Sequence, residues 1–258
     1  DCHAYIEGID TNYGYVPSEA AGAVFLALFG VSMLAHTYQT VRTRSWWTLV
    51  FSIGALTEVI GWAGREWSSQ CAYSGDAFLM QITTLIIAPT FFTAGIYVIL
   101  GRLIGIMGRS SSPISEKMYL IIFVTCDVVS LVVQAVGGAM ASIASQSDPP
   151  KDTKPGTNIM VAGIVFQMAS ITLFCCFFVL FLWRVRRRTL SLRIKVLIAA
   201  TTLSIFVIYI RSVYRTIELA QGWDGYLITH EGYFVSLDGA MMVIAVAVFN
   251  LVHPAYFL

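Results

Sequence analysis

Charge is scarce in this chain: only 12% of its 258 residues are Asp, Glu, Lys or Arg, against roughly 25% in a soluble domain. A net charge of +1 offers nothing to a polyanion, so no nucleic-acid partner is expected. The first nineteen residues contain neither Lys nor Arg, and no Asn-x-Ser/Thr acceptor occurs anywhere. HExxH, CxxC and Hx3H spacings are missing, so no metal is expected. The GxSxG elbow and the phosphate-binding glycine loop are also missing. Without an ATP-binding motif, any transport would be passive, coupled to an ion or dependent on another protein. No repeat of fixed period and no low-complexity tract appears, and no cofactor is expected.

What is present is apolar: 57% of the residues are hydrophobic, concentrated in seven runs. They span about 20–41, 46–65, 77–100, 117–141, 157–183, 194–218 and 231–252. Each is roughly 20 residues or longer, as a ~30 Å hydrocarbon core requires. The expected fold class is all-α, a polytopic membrane protein built as a seven-helix bundle. Residues 1–19 form an extracellular segment and 20–258 the transmembrane domain. Beginning at Asp1 rather than methionine, the numbering reads as starting inside a longer natural sequence.

Eleven of the sixteen basic residues fall in three alternate connections. These hold Arg42 and Arg44; Arg102, Arg109 and Lys117; and Arg184, Arg186, Arg187, Arg188, Arg193 and Lys195. The other connections hold only Lys151 and Lys154. By the positive-inside rule the N-terminus lies outside and the C-terminus in the cytoplasm. Trp46, Trp47 and Trp183 then mark the inner interface, and Trp67, Trp223 and Tyr226 the outer one. The loop 142–156, with Asp148-Pro149-Pro150-Lys151, is outside. Cys126, Cys175 and Cys176 lie in spans as small apolar residues. Cys2 and Cys71 share the oxidising side, so a disulfide between them is expected, two free surface thiols being the plainer alternative.

The remaining three basic residues, Arg65, Arg211 and Arg215, lie within spans. Each costs about 2.5–3.5 kcal/mol at a helix centre on insertion scales, so such groups persist when paired or lining a wet cavity. Arg211, Arg215 and Glu218 share one helix face, since seven steps of 100° return nearly to the start. Glu58 and Arg65 are likewise seven apart, with Trp62 between them. Asp127, Ser130 and Gln134 form a third one-face stripe. Asp238 lies in the seventh span. Pro89, in the third, frees a backbone carbonyl. Arg211, Arg215 and Glu218 are expected to find partners chiefly in Glu58, Asp127 and Asp238. The plainer alternative is that these groups neutralise one another and fix packing. His36 reads as a core histidine and His253-Pro254 as a helix stop.

Several blocks resemble the fungal lipid-translocating exporter family, also called resistance-to-aminocholesterol-like. They are Tyr15-Val-Pro17-Ser18, Glu58-Val-Ile-Gly61-Trp62-Ala-Gly64-Arg65, and Ala88-Pro89 with Tyr97. The stretch from Phe123 through Asp127, Ser130 and Gln134 to Gly137-Gly138 resembles its fourth-span signature. Arg211-Ser-Val-Tyr214-Arg215-Thr-Ile-Glu218, Glu231, Asp238 and His253-Pro254 resemble its closing blocks. Trp62 stands where the family pattern has tyrosine, which alters the pocket wall. The resemblance covers nearly the whole chain. It implies seven helices in the plasma membrane, with the vacuolar membrane as the alternative. It also implies export of sphingoid long-chain bases, resistance to sterol-like toxicants, or porphyrin movement.

Three functions compete. A lipid translocator or lipid-binding protein would hold an amphipathic molecule by its head at Glu58, Arg65, Asp127, Gln134, Arg211, Arg215, Glu218 and Asp238. A cationic head would go to the carboxylates. Its partners would be membrane lipids, an amphipathic small molecule and a second copy of the chain. A seven-helix sensor of lipid or toxicant stress is the second reading, resting on topology alone. An intramembrane lipid-modifying enzyme using Glu58 and Asp238 as acid and base is the third, and it lacks a nucleophile or metal signature.

Overall fold

The computed structural model describes residues 2, 5, 6, 11, 13–147, 152–222 and 225–258, with the side chains of 109, 145 and 146 outside that description. Asp1, His3, Glu7, Asp10, Asp148 to Lys151 and Trp223 therefore lie outside the described residues. The protein is an integral membrane protein, all-helical with seven helices long and apolar enough to span a bilayer among the described residues. Six are α1 (Glu19–Thr43), α2 (Leu49–Gln70), α3 (Gly75–Met107), α4 (Glu116–Gln146), α5 (Lys154–Val185) and α6 (Leu192–Ala220). The seventh span is interrupted. It starts as α7 (Glu231–Phe234), passes through a π-helical turn (Val235–Ala240) and resumes as α8 (Met241–Leu251). A last turn, α9 (Pro254–Phe257), follows the break at His253. Trp46–Thr48 and Arg109–Ser111 are short 3-10 turns.

Several helices run past the apolar limits read from the sequence. α3 continues to Met107 and α5 begins at Lys154, because helical hydrogen bonding persists where apolar side chains stop. Serine caps define three starts. The Ser18, Ser74 and Ser191 hydroxyls accept from the backbone N–H of Ala21, Ala77 and Ile194. α1 ends at Arg44, whose φ of 54° is left-handed.

The basic connections gather at one end of the bundle. Arg188 donates to the Met107 carbonyl and to Ser110 Oγ at 2.9 Å. The Arg102 guanidinium lies 4.7 Å from the Trp47 ring centroid. At the other end, a Cys2–Cys71 disulfide ties the N-terminal segment to the α2–α3 turn.

Between the ends, two kinds of packing hold the helices. An aromatic stack joins α3, α4 and α5, with Phe174 against Tyr97 at 4.7 Å and against Phe123 at 5.2 Å. The α4–α5 seam is a close backbone approach. A Cβ on Gly137 would lie 2.4 Å from the Met160 nitrogen, so only glycine fits there.

Candidate functional site

Pro89 has no N–H, so the carbonyl of Leu85, one turn earlier, has no helical partner. Arg211 of α6 fills that role: its Nη2 donates to the Leu85 carbonyl at 2.7 Å. Its Nε donates to Asp238 Oδ1 at 2.5 Å. Asp238 sits inside the π-helical turn and from there reaches Arg211 of α6. Both side chains are buried, at 6% and 3% exposure. One arginine therefore joins α3, α6 and the seventh span at once.

Arg215 finds its partner on its own helix, donating to Glu218 Oε2 at 2.5 Å. The other Glu218 oxygen accepts from the Tyr214 hydroxyl at 2.7 Å. Arg65 pairs with Glu231 at 2.8 Å and donates to the Tyr15 hydroxyl at the same distance. Its guanidinium lies 4.5 Å from the Phe234 ring centroid, with the rings of Tyr13, Tyr15 and Trp62 within 6 Å. Glu231 also accepts from the Ser18 backbone N–H at 2.8 Å, which seats the N-terminal segment on α7.

That segment forms a lid. The Tyr13 hydroxyl donates to Gln81 Oε1 at 2.6 Å and lies 3.0 Å from Ser68 Oγ. The Tyr13 ring meets Phe78 edge-on at 5.0 Å. Burial pushes the Tyr13 phenol up to about 12, against the opposing pull of the Ser68 hydrogen bond and Arg65. Burial also raises Tyr15, opposed by Arg65. Both phenols stay neutral at physiological pH. Under the lid is a cavity of about 30 Å³, walled by Arg65, Gln81, Arg215, Glu218 and Phe234 with the two tyrosines. A larger, mainly apolar groove of about 750 Å³ lies between α3 and α4 at the same end. Phe78 and Ile82 line both spaces and form the wall between them.

The eight site residues expected from the sequence separate into two groups. Glu58, Arg65, Arg211, Arg215, Glu218 and Asp238 gather where α2, α6 and the seventh span meet. Glu58 is buried, has Asp238, Arg211 and Arg215 as charged neighbours, and joins none of the three ion pairs among the described residues. Asp127 and Gln134 stand apart. Asp127 accepts from Thr93 and Tyr97 of α3, each at 3.0 Å. Gln134 donates to Ser130 at 2.7 Å and to Gln167 of α5 at 3.0 Å. Of the partners expected for the α6 arginines, Asp238 takes the role, whereas Asp127 and Glu58 form no ion pair with them. Asp127 is separated from α6 because its carboxylate faces α3, where two hydroxyls meet it, while Ser130 and Gln134 of the same stripe bond to α5. Glu231, Tyr13 and Gln81 are additional members of the cluster. Glu231 was discoverable from depth, since it opens the seventh span at the level where α2 places Arg65.

The family described as "RTA1 like protein" matches residues 51–258. The sphingoid long-chain base transporter RSB1 of Saccharomyces cerevisiae is 32% identical over 94% of this chain and 73% of its own length. Protein RTA1 of the same yeast is 29% identical, over 94% of this chain and 84% of that protein. Protoporphyrin uptake protein 1, also from Saccharomyces cerevisiae, is 28% identical, over 93% and 90% respectively. No solved structure matches. With four-fifths of its length inside the matched region and the disulfide-tied lid, arginine cluster and seven spans laid out above, the chain belongs to the RTA1-like family of fungal membrane proteins.

Proposed function

We propose that the protein translocates amphipathic lipids, with sphingoid long-chain bases as the leading substrate class. The supporting observation is a surplus of interior carboxyl groups. Among the described residues, four buried acids, Glu58, Asp127, Glu218 and Asp238, accompany three buried arginines. One of those arginines, Arg65, takes the half-buried Glu231 as its partner, so Glu58 and Asp127 are left without an arginine. A carboxyl group in a low-dielectric interior holds a proton rather than stand as an uncompensated ion, and a cationic head that reaches it can take that proton's place. Glu58 is the stronger receptor of the two, since it joins none of the three ion pairs and has a second acid, Asp238, beside it, while Asp127 already holds two hydroxyl donors. A relative's name as a long-chain base transporter supports the same class.

The reading includes an outside N-terminus and residence in the plasma membrane. The eleven-to-two distribution of basic residues between alternate connections supports that orientation. The test is transbilayer movement of a long-chain base in vesicles containing the purified protein, read with an impermeant amine reagent. Faster movement than in protein-free vesicles, and its loss in Glu58→Gln, is the expected result. Rates equal to protein-free vesicles would overturn it.

A further inference from the structure

The space beneath the lid is poor in acceptors. Arg65 and Arg215 both border it and are 1% and 5% exposed. Each already uses a terminal nitrogen on a carboxylate, Glu231 and Glu218 respectively. The Nε–H of each is buried and has no acceptor among the described residues. A buried, unpaired guanidinium N–H is costly, and the group that satisfies it must bring an oxygen lone pair. Since Glu218 and Glu231 already balance the two arginines here, a neutral oxygen fits better than an added anion. The cavity, at about 30 Å³, suits one small oxygen group, for which roughly 10–15 Å³ is the lower limit.

What lies on the far side of the wall says which molecule carries that oxygen. The groove behind Phe78 and Ile82 has a volume of about 750 Å³, within the roughly 300–1,000 Å³ range of ligand sites. Its lining includes Leu79, Ile86, Ile143 and Met160, with Gly138 and Ala139 leaving the space open on α4. Two side chains, Phe78 and Ile82, one turn apart on α3, border both the chain-sized apolar space and the small cavity that the two arginines line.

Resting on the lipid-translocator reading, we propose that the α3–α4 groove is the alkyl-chain subsite of a single-chain lipid. Its head hydroxyl passes the Phe78–Ile82 wall and accepts from Arg65 and Arg215. The site thereby reads a head-group oxygen, so it separates long-chain amino alcohols from simple long-chain amines. Tyr13 of the lid, packed on Phe78, holds the wall shut until a chain in the groove displaces Phe78.

The test compares three probes of equal chain length on the full chain in detergent-lipid micelles: an amino alcohol, the amine without hydroxyl groups, and a fatty acid. Tryptophan quenching or calorimetry reads the affinity. The amino alcohol is expected to bind about tenfold or more tightly than the plain amine, the effect of one hydrogen bond to a charged donor. A second arm uses Gly138→Leu. A Cβ at that position meets only Met160 Sδ, at 3.9 Å, so the new side chain fits on the helix and extends into the groove. It should weaken an eighteen-carbon amino alcohol several-fold more than an eight-carbon one, with the Cys2–Cys71 bond and a monodisperse elution reporting intact folding. Equal affinity for the amino alcohol and the amine would reduce the cavity to a water site and overturn the proposal, leaving lipid-amine binding intact. Tighter binding of the fatty acid would overturn it in favour of an oxyanion subsite. Failure of either amine to bind would overturn both this proposal and the translocator reading.

Discussion

The α4–α5 seam and the α2–α6 cluster are both polar places inside one bundle, yet they are built differently. At the seam, Ser130 donates to the Gly163 carbonyl at 2.8 Å, Gln134 spans to Gln167, and Gly137 lets the backbones touch. All three features draw the helices together and use neutral groups. At the cluster, three arginines meet carboxylates, a cavity remains, and the helix that supplies Asp238 is distorted by a π turn. Neutral hydrogen bonds and small residues suffice to fix helix packing in lipid. Charges, a distorted helix and enclosed space together exceed what packing needs, and that excess is the ground for proposing the cluster as the site.

The largest break in this contrast comes from removing one member of a buried pair. Arg211→Ala leaves Asp238 as an uncompensated charge and the Leu85 carbonyl without a donor. The expected loss is about 3–5 kcal/mol, seen as a collapse in thermal stability and in the yield of monodisperse protein. Retention of wild-type melting would show that the pair is not buried as described.

The next effect lies at the seam. Gly137→Leu forces a side chain against the Met160 nitrogen and the Gly156 carbonyl, at 2.4 and 2.7 Å from the new Cβ. The expected cost is about 1–3 kcal/mol, with transport by the surviving folded fraction unchanged. Its neighbour Gly138→Leu should melt like the wild type. Equal melting of the two variants would contradict the close approach of α4 and α5.

Much of this arrangement was legible in the residues. Seven apolar runs, their basic connections and the Cys2–Cys71 pair follow from composition and side. The Pro89 carbonyl and the one-face stripe of α6 follow from helix geometry. The partnerships were less legible, because helix rotation and depth decide them. Arg215 turned to Glu218 on its own helix, and Arg65 reached a residue 166 positions away. The π turn was invisible, since one extra residue per turn leaves no mark in a short mixed stretch such as Val235–Ala240. The division between Asp127 and the cluster also depends on rotation, which turns Asp127 to the hydroxyls of α3.

The smallest expected effect sharpens that division. Asp127→Asn keeps an oxygen facing Thr93 and Tyr97, so the cost is about 1 kcal/mol, read from the melting temperature. Transport should persist in Asp127→Asn and be lost in Glu58→Gln, although both remove one interior carboxylate. The reverse order would move the site from the α6 side of the bundle to the α4 side.

The most direct measurement is long-chain base transport by the double variant Arg211→Met with Asp238→Leu. Replacing both members of a buried ion pair with apolar residues is often neutral for stability, so the variant should fold, form its disulfide and insert with all seven spans. If the cluster is a lipid-head site, this folded protein moves no base above the protein-free rate. Transport at the wild-type rate in the same variant would contradict the account and leave the arginine cluster as packing alone.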